Sequence, residues 1–442
     1  MSWIDMSFQR PFVEMEPISF SREKYALFPS VSADVENFKM KNFLRYVFWI
    51  NLLKLRASYG KTGQDNLGSS LYGVYEPSGF KVGFNDNGLF YVPCVSMGTN
   101  YPDVSWQKTI MKNIGLDFYL FKNRVSGSID VFRNDVTSLL GYASTSPLAI
   151  YPTRPINGGH FYRQGWEIML DTKNMVGDFN WNTQLTFSKT NSFWKERMPN
   201  YDYRSYQKRN KEPMNAYYYY KMTGIINADR SNMPESQKTL QAEAQLPGCP
   251  IIDDKNNDGK IDENDIYLKD NTPDIYIGFG NTFTYKNWEF SFFMYGQFGI
   301  LKSNIAYRAA LPGPLAVDYP ENTNNLLWNS QTNPNGTRPG LAVDRMGALP
   351  GGAGVNIDME NASFVRMRNI TLSYNFRDKI LGKLKKYVKG IKVYADVQNP
   401  FVISKFKGFD PEIYTGGGGA NNASRGEYPQ ARTFTLGTNI VF

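Results

Sequence analysis

Histidine occurs once, at His160, and cysteine twice, at Cys94 and Cys249. A single histidine leaves no pair for a zinc site and argues against a Ser-His-Asp hydrolytic centre. The two cysteines lie far apart with no metal or redox spacing, so they read either as free thiols or as one disulfide in an oxidising compartment. No run of about 18 apolar residues is present, and the richest stretch, Phe43 to Leu53, is interrupted by Arg45 and Asn51. That excludes a helical membrane protein. No nucleophile elbow or phosphate loop occurs, and Gly278-Phe-Gly280 lacks the rest of a dinucleotide fingerprint. Acidic pairs such as Asp202 with Glu212 have the spacing of solvated loops, so no enzymatic activity is expected. Met1 to Arg10 shows no basic segment followed by an apolar one, hence no visible signal peptide. The net charge of +8 is spread along the chain, and the one dense patch, Lys379 to Lys392, is not enough to predict nucleic-acid binding.

What the chain does have is aromatic residues (15%), 38 glycines and 29 tyrosines in 442 residues, at a mean hydropathy of -0.45. This profile suits β structure, in which only alternate residues need be apolar. The last twelve residues show it most clearly. Phe434, Leu436, Thr438, Ile440 and Phe442 fall on one face of an extended chain, and Thr433, Thr435, Gly437, Asn439 and Val441 on the other. The same alternation predicts hairpins over Ile110–Phe121 with Val125–Asn134, Tyr162–Leu170 with Phe179–Lys189, and Ile275–Tyr285 with Trp288–Phe298. Asn51–Tyr59, ending in a turn at Gly60-Lys61-Thr62-Gly63, Ser363–Phe376 and Ile391–Val397 read as further strands, and Trp3–Val13 and Tyr25–Ala33 as weaker ones.

The links between these strands alternate in length. Short connections at 122–123, 172–178 and 286–287 take turns with segments of tens of residues. Compact soluble domains seldom contain repeated loops beyond about 15 residues, whereas transmembrane barrels combine short periplasmic turns with long outer loops. The predicted fold is therefore all-β: an antiparallel transmembrane β-barrel portion of about a dozen strands. Its expected extracellular loops are approximately 61–109, 135–160, 190–274, 300–362 and 401–430.

Several blocks then resemble the carboxy-terminal part of SusC/RagA-type TonB-linked outer-membrane transporters, in the family's order. They are LKLRASYGKTG (Leu53 to Gly63), the region Asn100 to Leu140, DDKNNDGKIDENDIYL and its sequel (Asp253 to Gly299), NASFVRMRNITLSYNF (Asn361 to Phe376), Val393 to Glu412, and YPQARTFTLGTNIVF (Tyr428 to Phe442). Gln107 departs from the family, which commonly has glutamate after the tryptophan. The resemblance implies import of large nutrients, oligosaccharides or peptides, with a SusD-like surface lipoprotein as partner and energy passed through TonB. It also implies a 22-strand barrel. Nothing in the chain resembles the family's plug domain, TonB-contacting segment or amino-terminal extension, so transport by this portion alone is not expected. A calcium-dependent extracellular binding or adhesion protein built on a soluble sheet is the alternative from another class.

Two candidate sites stand out. Counting Asp254 as position one, Asp254, Asn256, Asp258, Asp262 and Asp265 place side-chain oxygens at positions 1, 3, 5, 9 and 12. Gly259 falls at position 6, and the Lys260 carbonyl at 7. This is the order of an EF-hand-type calcium loop, with Asp265 in place of the usual glutamate and without a preceding amphipathic helix. A structural Ca²⁺ stiffening an outer loop is expected; an ion-free Asx turn is the simpler reading. The tyrosines Tyr217, Tyr218, Tyr219 and Tyr220, and those from Tyr201 to Tyr206, could contact sugars or a lid protein or belong to an interfacial girdle.

Overall fold

The computed structural model describes residues 4–9, 27–36, 49–64, 75–77, 94–96, 104–145, 153–199, 201, 203–207, 211–303, 327–340, 346–357, 359–376, 387–407, 410–412 and 430–442. The basic run between 379 and 386, the glycine run Gly416–Gly419 and the side chain of Cys94 lie outside the described set.

Twelve strands follow one another in a single antiparallel meander. They are β1 (Ile4–Gln9), β2 (Ser30–Glu36), β3 (Ile50–Gln64), β4 (Gln107–Leu120), β5 (Val125–Ser144), β6 (Thr153–Met175), β7 (Phe179–Glu196), β8 (Ile275–Tyr285), β9 (Trp288–Phe298), β10 (Phe364–Phe376), β11 (Gly390–Gln398) and β12 (Thr433–Val441). Each pairs with its neighbours in sequence, and Val402–Ser404 adds a short strand beside Phe364–Arg366. Among the described residues no pairing joins β12 to β1, so the sheet is an open portion of a barrel wall. No helix among the described residues is long and apolar enough to cross a membrane.

The tight turns form where the sequence places them. Phe121, Lys122 and Asn123 all take positive φ (53°, 57° and 61°), as does Lys286 (52°) before Asn287. Left-handed turn residues of this kind match the right-handed twist of the flanking strands. Both strands of the β8–β9 hairpin have the predicted limits. At the opposite end the strands run longer than the alternation indicates: β5 continues to Ser144, β6 begins at Thr153 and β7 reaches Glu196. Gly60–Gly63 is not a turn; it continues β3 and pairs with Lys108–Met111 of β4. Nor is 190–274 irregular. Much of it folds into a small compact unit with its own core.

Cross-strand register makes the two faces of the wall explicit. One row reads Trp181, Phe283, Phe290, Leu372, Ala395 and Leu436 across β7 to β12. The adjacent row, on the opposite face, reads Asn182, Thr282, Ser291, Thr371, Asp396 and Thr435. The first row includes large apolar side chains left exposed, among them Trp181, Phe290, Leu372 and Leu436. An apolar face of this extent that no described residues cover is foreign to a soluble sheet. It is what a lipid-facing barrel surface requires. Near the short turns, Trp288 and Tyr374 meet edge to face at 4.8 Å, and Trp181 stacks with Phe283 at 5.8 Å.

Candidate functional site

The polar face of the wall carries linked charges. Arg56 on β3 donates from Nε and Nη2 to the two carboxylate oxygens of Asp117, each at 2.8 Å, and from Nη2 to Asp130 at 3.1 Å. Asn113 donates to the other Asp130 oxygen at 3.1 Å. Gly115 leaves the space these groups occupy, because a Cβ there would come within 2.4 Å of Asp130 Oδ1 and 2.7 Å of Arg56 Nη2. Further along the same face Lys392 pairs with Glu289 at 3.0 Å, and Thr371 donates to Asp396 at 2.6 Å.

A buried cluster at the long-loop end fixes the segment Asp410–Glu412 against the wall. Arg366 on β10 donates from Nη2 to Asp410 at 2.5 Å, and both side chains are only 3% exposed. Arg366 Nε lies 2.7 Å from Glu412 but is poorly aligned for a hydrogen bond. Tyr295 donates to Glu412 at 2.5 Å, and Lys302 donates to the Pro411 carbonyl. Burial holds the Lys302 amine below its ordinary range. Asp410 also accepts the backbone N–H groups of Glu412 (2.8 Å) and Gln430 (3.2 Å). These bonds to Asp410 offset part of the desolvation cost of the buried ion pair. Sequence reasoning missed the cluster, since Arg366, Tyr295 and Asp410 are far apart in the chain.

Above the wall, residues drawn from 206–266 and 346–353 form a compact hydrophobic core. Tyr220, Ile226, Ile252, Ile266 and Ala244 are at or near zero exposure. A three-stranded sheet of Tyr267–Asp270, Ala216–Tyr220 and Gly354–Val355 frames the core. The buried Gln237 amide is satisfied by the carbonyls of Ala244 and Pro250 and by the N–H of Ile252. Cys249 is a buried free thiol, and burial pushes it up to about 11.

The four candidate tyrosines divide by strand alternation. Tyr218 and Tyr220 turn inward: the Tyr220 hydroxyl donates to the carbonyls of Asp262 and Pro350 at 2.9 Å. Burial first, then the nearby Glu212, pushes Tyr218 up to about 12. Tyr217 and Tyr219 face the other way and stack on each other at 5.1 Å, with Tyr219 stacked on Tyr267 at 5.7 Å. Tyr201 and Tyr203 contact each other at 4.7 Å, while Tyr206 joins the core.

The acidic loop closes the same unit, with Ile261 and Ile266 buried in the core. Asp254 accepts from the N–H of Asp258 (3.2 Å) and of Gly259 (2.9 Å), Asn256 from Asp258 (3.2 Å), and Asp258 from Lys260 (2.9 Å). Gly259 takes φ +79°, the conformation that position six demands. Asp262 caps the short helix Glu263–Asp265. Asp265, fully buried, accepts from the backbone of Lys255 (2.9 Å) and Asp262 (2.8 Å) and so laces the loop shut. Gly259 keeps the left-handed turn of such a loop, but among the described residues no three acidic side chains converge as a metal-holding group. Here the carboxylates hold backbone N–H groups instead.

Comparison with known proteins follows the same lines. The TonB-dependent receptor SusC of Bacteroides thetaiotaomicron is 28% identical over 450 residues, covering 96% of this chain and 41% of its own. The TonB-dependent receptor P3 of Formosa agariphila is 27% identical over 455 residues, covering 96% and 43%. The chain therefore spans about two fifths of the length of the curated relatives it matches. Among solved structures, the RagAB peptide importer in its closed-closed state superposes with a TM-score of 0.74 at 19% identity, over 99% of this chain and 46% of that one. The RagAB peptide transporter gives 0.70 at 19%, over 95% and 44%. No family model matches the chain. These relatives are described as receptors and transporters rather than enzymes. In sequence and in fold the chain matches the carboxy-terminal barrel portion of SusC/RagA-type TonB-dependent receptors.

Proposed function

We propose that the chain supplies part of the wall of an outer-membrane importer of large nutrients, oligosaccharides or peptides. In this reading import is energised through TonB, and a SusD-like surface lipoprotein works on the long-loop side. The observation that carries the reading is the separation of the faces: uncovered aromatic and aliphatic rows on one side, linked charges and small polar side chains on the other. Such a wall suits lipid outside and a watery, solute-lined interior. The short turns then face the periplasm, and the segments 61–109, 135–160, 190–274, 300–362 and 401–430 face outward. The Arg56–Asp117–Asp130 network and the Arg366 cluster line the interior. The soluble adhesion alternative is disfavoured because nothing among the described residues covers the apolar face.

Within the outer unit a structural Ca²⁺ would engage oxygens of Asp254, Asn256, Asp258, Asp262 and Asp265 and the Lys260 carbonyl, drawing the loop's carboxylates together. Titration calorimetry on the chain and on Asp258→Ala checks this; no calcium binding by the parent chain would remove the ion. Tyr217 and Tyr219 are where this unit offers aromatic surface to a nutrient or a lid protein, since Tyr218 and Tyr220 are engaged in its core. The wall itself is tested by extraction and electrophoresis. The chain should leave membranes only with detergent and migrate differently before and after heating. Release by salt or carbonate alone would refute the reading.

A further inference from the structure

The apolar face is not uniform along its height. Towards the long-loop end its rows give way to cations: Lys112 on β4 pairs directly with Arg133 on β5, and Lys189 on β7 lies in the next row of the same face, across Trp166 of β6. Eight residues separate Lys112 from the end of its strand at Leu120, or about 27 Å at ~3.4 Å per residue. At a tilt of about 40° this is roughly 21 Å of height, near the upper border of an apolar band ~25 Å tall.

Like charges directly opposite one another are unfavourable, and here they are only partly compensated. Asp135 is shared between them, 3.5 Å from Lys112 Nζ and 3.3 Å from Arg133. Lys189 has no ion-pair or hydrogen-bond partner among the described residues, so three cations face one shared carboxylate. Arg133 Cζ lies over the Tyr162 ring at 4.2 Å from its centroid, a cation–π contact that holds the guanidinium in place. Beneath these side chains runs a groove of about 990 Å³, floored by the small Ala33 and Ala57 and walled by Trp166. Its surface is mostly apolar. Cations at the rim of an apolar groove, with an interfacial tryptophan, complement a molecule with an anionic head and a hydrocarbon tail.

We propose that this groove is a binding site for a phosphate-bearing lipid of the outer leaflet, with phosphate groups held by Lys112 and Arg133 on one side and by Lys189, across β6, on the other, and an acyl chain laid over Ala57 beside Trp166. The proposal rests on the outward assignment of the apolar face made above. It places an anionic lipid at one point on the circumference of the wall and not as a general belt.

Native mass spectrometry of the whole chain in detergent tests it, with lipid A, dephosphorylated lipid A and inorganic phosphate as probes. Lipid A retention is expected on the order of a hundredfold above the dephosphorylated form. The variant K112Q/R133Q/K189Q should bring lipid A down to the dephosphorylated level. Ala57→Trp, which fills the groove without changing charge, should also reduce retention and covers the case of a triple variant that does not fold. Equal retention of the two lipids, or retention surviving both variants, overturns the proposal, as does displacement of lipid A by inorganic phosphate alone. Any of these in a chain that still needs detergent defeats the lipid site only; loss of the detergent requirement defeats the wall reading itself.

Discussion

The wall and the compact unit above it are built from the same chain on opposite rules. The unit buries Tyr220, Ile226, Ile252 and Ile266 in a conventional core closed by satisfied polar groups such as Gln237. Among the described residues the apolar rows of the wall have no such cover: Leu372 remains 43% and Leu436 86% exposed, while ionic groups occupy the opposite face. The difference teaches where each draws its stability. The unit is held by protein packed on protein, the wall by backbone ladders and, in the proposed reading, by lipid against its apolar face.

Substitutions can break this contrast. The largest effect is expected at Arg366→Ala, which strands the buried Asp410 carboxylate. Removing one partner of a buried pair costs about 3–5 kcal/mol, so Asp410–Glu412 should become accessible to hydrogen exchange while the β4–β5 ladder stays protected. Next, Ile252→Ala should destabilise the outer unit by roughly 2–5 kcal/mol in detergent and bilayer alike, because the cavity forms within protein. Leu372→Arg sharpens the comparison. In a bilayer it should cost about 2–4 kcal/mol near mid-depth, whereas on a water-facing sheet it would lie within about 0.5 kcal/mol. Denaturant unfolding in lipid vesicles separates the two outcomes.

A pH experiment addresses the unit alone. The Cys249 thiol rises from an ordinary 9.0 to about 11 when folded, because burial penalises the thiolate. Between those values the unfolded chain ionises while the folded one does not. Stability from this group is therefore fully present below pH 9 and is lost as pH rises towards 11, by roughly 2–3 kcal/mol at the 1.36 kcal/mol per unit of linkage. Cys249→Val should flatten that part of a thermal unfolding profile. The smallest effect is expected at Lys392→Gln, since its pair with Glu289 is more than a third exposed on both sides and partly exposed pairs contribute about 1 kcal/mol or less.

How far the sequence could be read follows the same division. The alternation of Phe179, Trp181, Leu185 and Phe187 with polar residues was legible because a strand with one apolar and one polar face carries a strict period of two. Beyond the apolar band the constraint lapses, and so β5 and β7 could not be followed past Asn134 and Lys189. The GKTG segment has the composition of a turn, yet the ladder with β4 carries it straight on. In the acidic loop the oxygen spacing was visible, but the role of Asp265 in binding two backbone N–H groups was not. Nor could spacing say that Tyr217–Tyr220 form a strand, or which alternating pair turns inward.

By itself the sequence determined the alternation of the strands, the sites of the tight turns and the resemblance to a transporter wall, because each depends on neighbours within a few residues. Only the tertiary structure decided that distant segments close a core around Tyr220, that Arg366 meets Asp410, and that Lys112, Arg133 and Lys189 gather at the edge of the apolar band. Those depend on cross-strand register and on loops folding back, and no local pattern along the chain encodes either.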